Sequence, residues 1–243
     1  MCRVGRQERR QGRLRGNSSE STQIGIHNTV KTGDLMSSIS IIGTGNMART
    51  IGALAVAGGN TVEVMGRDQS KAADLAKALG SGATRGEWGA VPAGDIVIVA
   101  VLYDGVVPVV AEYGDALAGK AIVDISNPFN SEADGLATRE DTSIAQEVAK
   151  AAPASATVFK AFNTIFRHVL EKGRALDVFI AGDNAQAKAG VEAFIESLGL
   201  RPLDVGGLKM AHWLEGASLV EMGVARHGAG NWDLALSVTE FHG

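Results

Sequence analysis

Residues 38–48 read SISIIGTGNMA, and this short stretch indicates how the chain that follows it is folded. An apolar run typical of a buried strand ends at Ile42, and a helical pattern begins at Met47. Between them lies a G-x-G-x-x-A pattern, which a dinucleotide-binding loop places between a strand and a helix. Gly43 permits the tight turn, Gly45 lets the backbone approach a pyrophosphate, and Ala48 allows the helix to pack closely. The predicted contacts of this loop are Gly43, Thr44, Gly45, Asn46 and Met47.

Short apolar runs alternate with amphipathic stretches along the rest of the chain. Predicted strands cover residues 38–42, 61–65, 95–102, 121–125, 156–161, 176–181 and 201–205. Predicted helices cover residues 47–57, 70–79, 106–117, 143–151, 184–198 and 208–226. Strands that alternate with helices pair in parallel through right-handed crossovers, so we expect an α/β fold with a Rossmann-type doubly wound parallel sheet. We place a nucleotide-binding domain at residues 36–155 and a smaller C-terminal α/β lobe at residues 156–243.

Residues 1–35 differ in composition from the rest of the chain. They are rich in Arg, Gln, Gly and Ser and show no apolar periodicity. Such a segment cannot bury enough apolar surface to offset its ordering entropy, so we predict a disordered basic extension. Two alternatives stay open: an Arg- and Ser-rich transit peptide, which Glu8 and Glu20 disfavour, and translation that begins at Met36.

The composition excludes several classes of function. Residues 1–35 carry a net charge of +4, so the remainder carries −8 of the total of −4, which disfavours nucleic-acid binding. No apolar run approaches the roughly 20 residues of a membrane-spanning helix. The single cysteine, Cys2, and five histidines without ligand spacing argue against a metal site. We expect a cytoplasmic protein without a membrane or nucleic-acid partner.

The end of the second strand distinguishes the two nicotinamide dinucleotides. NAD-preferring domains place Asp or Glu there, where the carboxylate accepts a hydrogen bond from the ribose 2′-hydroxyl. In this chain Gly66 occupies that position, Arg67 follows it, and Lys71 comes four residues later. A carboxylate would repel a 2′-phosphate, whereas a guanidinium can pair with it in bidentate fashion. We therefore predict NADP(H) rather than NAD(H), bound with the help of Gly66, Arg67 and Lys71.

Three stretches of the chain resemble known families. ISIIGTGNM at residues 39–47, together with Gly66, Arg67 and Lys71, resembles the NADP oxidoreductases that use the deazaflavin coenzyme F-420. GLRPLDVGGL at residues 199–208 is similar to a segment of the same family, and KAFNTI at residues 160–165 resembles the NADPH domain of six-transmembrane ferric reductases. The resemblance covers most of residues 36–225. Residues 127–130 are closer to the ferric-reductase form, and the ferric reductases' membrane domain has no counterpart here.

The resemblance implies hydride transfer between a nicotinamide and a planar ring stacked on it. Such a transfer depends on proximity and orientation, so we predict no catalytic side chain. The acceptor would be a small molecule, coenzyme F-420 or a flavin, and the C-terminal lobe would complete its site. The implied cofactor contacts are Val101, Leu102 and Tyr103 near the riboses, and Asn127, Pro128, Phe129, Ala161 and Asn163 beside the nicotinamide.

Two other functions remain open at the level of sequence. The GxGNMA pattern is also similar to pyrroline-5-carboxylate reductase, but we find no counterpart of that family's C-terminal helical substrate domain. A non-catalytic module that senses NADPH would need the same binding residues as an enzyme. Trp213, Leu214 and Leu219 lie at helical spacing and indicate core packing or a homodimer contact.

Overall fold

A computed structural model of the chain describes residues 37–173 and 175–241. Residues 36–243 cluster as one compact unit. The predicted disordered extension, and the alternative interpretations of residues 1–35, lie outside the described residues.

Strands and helices alternate through most of the described chain. The strands are β1 (Ser38–Ile42), β2 (Thr61–Met65), β3 (Ala83–Arg85), β4 (Ile96–Val99), β5 (Ala121–Asp124), β6 (Thr157–Lys160), β7 (Asp177–Gly182) and β8 (Arg201–Gly206). The α-helices are α1 (Asn46–Ala57), α2 (Gln69–Leu79), α3 (Tyr103–Tyr113), α4 (Ile144–Ala151), α5 (Arg167–Leu170), α6 (Ala185–Ser197) and α7 (Ala211–Gly223). Short 3-10 helices at Gly114–Leu117 and Leu208–Met210 and a π-helical turn at Val224–Gly228 complete the set.

All the described strands join one sheet in the order β3-β2-β1-β4-β5-β6-β7-β8. The neighbours from β3 to β6 pair in parallel, as β7 and β8 do with each other. The strand order reverses direction between β1 and β4, which is the switch point at which open α/β sheets bind ligands. The predicted Rossmann-type α/β fold is confirmed.

The pairing of β7 differs from the prediction. β7 runs antiparallel to β6, with Phe159 opposite Gly182 and Lys160 opposite Ala181. A parallel pairing needs a crossover that carries the chain back along the sheet. Among the described residues between the two strands, the one helix is α5, which has four residues and is too short for that purpose. The chain therefore turns back at the end of β6.

The division into two lobes near residue 155 also differs from the structure. β6, β7 and β8 continue the sheet that β1 begins, because β5 and β6 pair across the predicted boundary. The segment from residue 156 onward is thus part of the same compact unit. Its last predicted helix, residues 208–226, is divided into a 3-10 turn, α7 and the π-helical turn.

Both faces of the sheet are covered. In β4, Ile96 and Ile98 enter the apolar cluster on one face, whereas Val97 and Val99 enter the cluster on the other. Side chains alternate across a strand, so a strand covered on both faces reads as an unbroken apolar run. Helices α1, α2 and α6 contribute to the first cluster, and α3, α4 and α7 to the second.

The helix starts are fixed in two different ways. Asp68, Ser143 and Asn184 accept hydrogen bonds from backbone N–H groups in the first turns of α2, α4 and α6. Helix α1 begins instead at Gly45, which has no side chain to accept those bonds. The first N–H groups of α1 therefore remain available to a ligand.

Candidate functional site

The glycine loop stands at the carboxyl end of β1, against the end of β4. Gly43 has a φ of +129°, and a Cβ there would lie 2.3 Å from the carbonyl oxygen of Ala100. A Cβ at Gly45 would meet no atom within 4 Å. Only glycine fits the first position, whereas the second leaves open space at the N-terminus of α1. That space, together with the free N–H groups and the helix dipole, fits a pyrophosphate.

A cavity of about 760 Å³, here called the large cavity, extends from this loop across the switch point. Its volume lies in the range of small-molecule and cofactor sites. The sequence-predicted residues that line it are Gly43, Thr44, Gly45, Asn46, Met47, Gly66, Arg67, Lys71, Val101, Leu102, Tyr103 and Asn127.

The end of β2 leaves no room for the carboxylate of an NAD-preferring domain. A Cβ at Gly66 would lie 2.6 Å from Thr44 Cγ2 and 3.3 Å from the Cβ of Ala72. A side chain at residue 66 would therefore require the side chain of Thr44 to shift. The cationic groups beside this position are therefore the ones that can meet an adenosine ribose.

Arg67 lies at the rim of the large cavity over an aromatic ring. Its guanidinium carbon is 5.1 Å from the ring centre of Trp88, and its Nη2 lies 3.4 Å from Glu112 Oε2. Trp88 in turn donates a 2.6 Å hydrogen bond to Glu112 Oε1. With 72% of its side chain exposed, Arg67 is held by two partners and still reaches solvent. A planar cation in this position is suited to a phosphate.

Trp88 is a lining residue that the sequence does not point to. It follows the three-residue strand β3, which is too short and polar to give a period-2 pattern. Because β3 is missed, the segment after it reads as an ordinary loop. The sequence does point to Lys71, which also lines the large cavity. It lies 3.7 Å from Asp68, the residue that caps α2.

A second cavity of about 210 Å³, the small cavity, adjoins the first. The two share Met47, Ile125 and Asn127. The other lining residues of the small cavity are Phe129, Phe162, Asn163, Ile165, Phe166, Arg167, Ser218, Glu221 and Met222. Phe129 and Asn163 therefore line the same cavity as Asn127.

Asn127 and Asn163 bind each other across the ends of β5 and β6. Asn127 Nδ2 donates to the carbonyl oxygen of Asn163 (2.7 Å), and Asn163 Nδ2 lies 3.0 Å from Asn127 Oδ1. Asn163 Nδ2 also lies 3.0 Å from both the carbonyl oxygen of Leu214 and the hydroxyl of Ser218. The pair therefore ties two strand ends to α7 where the cavities meet.

Two predicted residues lie outside the lining of both cavities. Ala161 is fully buried, and its N–H donates to the carbonyl oxygen of Asp124 (3.2 Å), so it extends β6 beside β5. The carbonyl oxygen of Pro128 accepts from the N–H of Ala137 (2.6 Å), within the loop that follows β5. Both residues shape the backbone next to the cavities. Phe162, which follows Ala161, has a φ of +60° and is buried.

A buried ion cluster lies behind the Asn127–Asn163 pair. Lys160 Nζ lies 2.8 Å from Asp124 Oδ2 and 2.9 Å from Glu215 Oε1, and all three side chains are fully buried. Lys160 also donates to the carbonyl oxygen of Ser126 (2.5 Å). Burial raises the pKa of Glu215, against the lowering effect of Lys160. The cluster joins β5, β6 and α7, and sequence patterns cannot reveal it because its residues meet only in three dimensions.

Glu221 lines the small cavity from α7 and is 1% exposed. Its Oε1 has no hydrogen-bond partner among the described residues, and the same is true of Asn163 Oδ1. Burial raises the pKa of Glu221 to about 8. Two unmatched acceptor oxygens thus border one cavity.

The C-terminal segment supports the small cavity from behind. The ring of Trp232 packs edge-on against Phe166 at 5.5 Å, and its carbonyl oxygen lies 2.7 Å from His168 Nε2. Farther on, the N–H of Val238 donates to Asp177 Oδ2 (2.7 Å), next to the guanidinium of Arg201. These contacts hold the segment against α5 and the start of β7.

Residues 38–128 match the protein family described as NADP oxidoreductase coenzyme F420-dependent. This stretch is a domain of that family. The match includes the glycine loop, Arg67 and Tyr103, and it ends at Pro128, beside the shared border of the two cavities. The resemblance to this family predicted from the sequence is confirmed over residues 38–128.

Similarity extends beyond the matched domain. The chain is 34% identical over 184 residues to Metalloreductase STEAP3 of Rattus norvegicus, covering 74% of this chain and 36% of that protein. The chain thus spans about a third of the length of this curated relative. Among the residues that the structure describes, no helix is long and apolar enough to cross a membrane.

Solved structures share the fold. A protein assigned as an F-420-dependent NADP reductase from Arthrobacter sp. FB24 superposes with a TM-score of 0.72 at 23% identity, covering 83% of this chain and 99% of that one. A hypothetical protein from Sinorhizobium meliloti superposes with a TM-score of 0.65 at 25% identity, covering 84% of this chain and 97% of that one. The C-terminal part of the chain, through β6, β7 and β8, is therefore included in a known architecture.

Proposed function

We propose that the chain binds NADP(H) in the large cavity and exchanges hydride with a planar deazaflavin or flavin ring in the small cavity. The observation that supports this most directly is that the two cavities adjoin at Met47, Ile125 and Asn127. A nicotinamide at that border would lie against a ring in the small cavity. Coenzyme F-420 is the acceptor that the matching family favours, and a free flavin is the alternative.

The residues present fit NADP(H). The open space at Gly45 accommodates a pyrophosphate, and Gly66 removes the carboxylate that would repel a 2′-phosphate. Arg67 and Lys71 supply cations at the same rim.

The side chains of the site bind and orient the reactants. When bound, NADPH supplies a hydride from its nicotinamide. Asn127 and Asn163 fix the ends of β5 and β6 on either side of the border, and α7 closes the small cavity. Rigid placement of two reactants in contact supplies a large part of the rate enhancement in such transfers.

Anaerobic stopped-flow spectroscopy tests the proposal. The chain is mixed with NADPH and, in turn, oxidised coenzyme F-420, FMN, FAD or pyrroline-5-carboxylate. We expect NADPH oxidation with F-420 or a flavin, and none above background with pyrroline-5-carboxylate. Tight NADPH binding without oxidation by any acceptor would contradict the proposal and favour an NADPH sensor.

Three further expectations remain predictions. The partner is a small-molecule acceptor rather than a nucleic acid or a membrane, and the location is cytoplasmic. A homodimer is the expected assembly, since Trp213 on α7 is 66% exposed while Leu214 is buried. Light scattering of the purified chain measures the assembly, and fractionation of cells measures the location.

A further inference from the structure

We propose that Glu221 is the proton donor of the small cavity, which delivers a proton to the acceptor ring as hydride arrives from NADPH. This step rests on the proposed function and adds an acid to a reaction for which the sequence predicts no catalytic side chain. The acceptor class follows from it: a ring that takes up both a hydride and a proton, and that has a polar N–H edge.

The position of Glu221 distinguishes it from the structural carboxylate on the same helix. Glu215 is buried beside Lys160 and also accepts from the N–H of Ile144 (3.1 Å). Glu221 is buried as deeply, yet its Oε1 has no partner among the described residues. A buried carboxyl oxygen without a hydrogen-bond partner lowers the stability of the fold. A ligand in the cavity that Glu221 lines could supply the missing partner.

A second unmatched atom lies in the same cavity. Asn163 Oδ1 is buried without a partner among the described residues, while Asn163 Nδ2 is engaged with Asn127, Leu214 and Ser218. An acceptor oxygen and a carboxyl that border one cavity complement a ligand edge with both N–H and acceptor atoms. The pyrimidinedione edge of a flavin or deazaflavin has this chemistry.

The surroundings keep the Glu221 carboxyl protonated near neutral pH. Burial raises its pKa to about 8. Arg167, which also lines the cavity, is bound to Glu171 Oε1 (2.6 Å) and Oε2 (2.7 Å). The charged and titratable groups on the elements that contact α7 are Lys160 of β6, Glu147 and Lys150 of α4, Asp177 of β7, Lys209 of the 3-10 turn, and Arg226 and His227 of the π-helical turn. Burial alone accounts for the shift.

The proposed step balances. The hydride carries two electrons and one hydrogen nucleus from the nicotinamide C4 to the ring. The O–H bond of Glu221 breaks and its proton forms a bond with a ring nitrogen or oxygen. The products are NADP⁺, the reduced ring with two added hydrogens, and the Glu221 carboxylate, which regains a proton from solvent. A general acid in this role contributes on the order of 10²–10⁴-fold to a rate.

The first experiment compares the wild-type chain with Glu221→Gln, Glu221→Asp and the surface control Glu196→Gln on α6. Acceptor reduction is followed by single-turnover stopped flow between pH 6 and pH 10.

In the wild type and in Glu196→Gln we expect the rate to fall as pH rises through about 8. Glu221→Gln should be at least tenfold slower at pH 7, should lose the descending limb, and should keep its NADPH affinity. Glu221→Asp should restore part of the rate at pH 7 and part of the descending limb. Unchanged rate and pH profile in Glu221→Gln would overturn the proposal.

The second experiment does not depend on turnover. Infrared difference spectra of the ligand-free chain should show a protonated carboxyl band that titrates near pH 8, shifts on addition of FMN, and is absent in Glu221→Gln. If none of the acceptors oxidises NADPH in the presence of the wild-type chain, the proposed function fails. The FMN-induced shift of the carboxyl band then decides alone whether Glu221 faces a ring. A band that titrates below pH 6, or that FMN leaves unchanged, would overturn the assignment.

Discussion

At residue 67 a guanidinium lies over an indole ring at the edge of the large cavity. Replacing Arg67 by Ala should raise the dissociation constant of NADPH at least tenfold, or about 1.4 kcal/mol, and leave that of NADH nearly unchanged. The difference arises because only NADPH has the 2′-phosphate that the cation meets. Fluorescence titration of both dinucleotides measures it.

The matched control for this substitution is Lys77→Ala. Lys77 is an exposed cation near the other end of α2, so its removal should affect neither dinucleotide. An equal loss of NADPH and NADH binding in Arg67→Ala would contradict the predicted choice of cofactor.

Glu221 should also make the stability of the chain depend on pH. Its folded pKa of about 8 exceeds its ordinary value of 4.5, so the folded state binds more protons than the unfolded state between these values. The stability from the neutral carboxyl is complete below pH about 4.5 and is lost as pH rises through about 8. The slope of this loss approaches about 1.4 kcal/mol per pH unit.

Urea denaturation at pH 5, 6, 7 and 8 measures this effect. The difference in unfolding free energy between Glu221→Gln and the wild type should grow in favour of the variant as pH rises. A difference that stays constant over this range would show that Glu221 does not titrate there.

At the scale of elements, the glycine loop offers a paired test. Gly43→Ala should lower the melting temperature clearly, since a Cβ would lie 2.3 Å from a carbonyl oxygen at a φ of +129°. Gly45→Ala should leave the melting temperature nearly unchanged, because a Cβ there meets no atom within 4 Å. It should nevertheless weaken NADPH binding, since the methyl group would occupy the space of the pyrophosphate. A Gly45→Ala chain that binds NADPH normally would place the pyrophosphate elsewhere.

The junction of β5, β6 and α7 depends on one cation. Lys160→Met should reduce the unfolding free energy by about 3–5 kcal/mol, because it leaves the buried carboxylates Asp124 and Glu215 without their counter-ion. Adding Glu215→Gln should recover part of the loss, and Lys150→Met on the surface of α4 should cost little. Urea denaturation measures all three. A small effect of Lys160→Met would mean that solvent reaches this cluster.

The elements that follow local rules could be predicted from the sequence. The run from β1 through α2 has alternating patterns, a glycine loop and glycines after its helices, so its strands and helices were predicted within two residues. Strand β3 was missed because three residues, two of them polar, have no pattern. The direction of β7 was wrong because a loop and a helix of four residues leave no signature of a reversal.

The residues of the candidate site likewise fall into those that local sequence patterns predict and those that they do not. Residues that follow strands, such as Leu102 and Asn127, could be placed in advance because parallel strands end at one edge of the sheet. Trp88, Lys160, Glu215 and Glu221 could not, since their roles depend on partners or cavities that only the packed chain brings together.

At the scale of the whole molecule, one sheet carries both cavities. Strands before and after residue 155 pair directly, so the walls of the small cavity are attached to the same sheet as the glycine loop. A dinucleotide and a ring acceptor would therefore meet on one continuous support rather than across a hinge between lobes. The superposition with the Arthrobacter sp. FB24 structure covers 99% of that chain, so the same continuous fold accounts for nearly all of it.

The indole groups are distributed in a way that spectroscopy can use. Trp88 borders the large cavity, Trp232 packs on a wall of the small one, and Trp213 faces solvent on α7. Chains that keep one indole at a time would carry three separate optical reporters. Quenching of Trp88 would then follow dinucleotide entry, and quenching of Trp232 would follow the acceptor. The order in which the two arrive could be read by mixing each single-indole chain with both ligands under the same conditions.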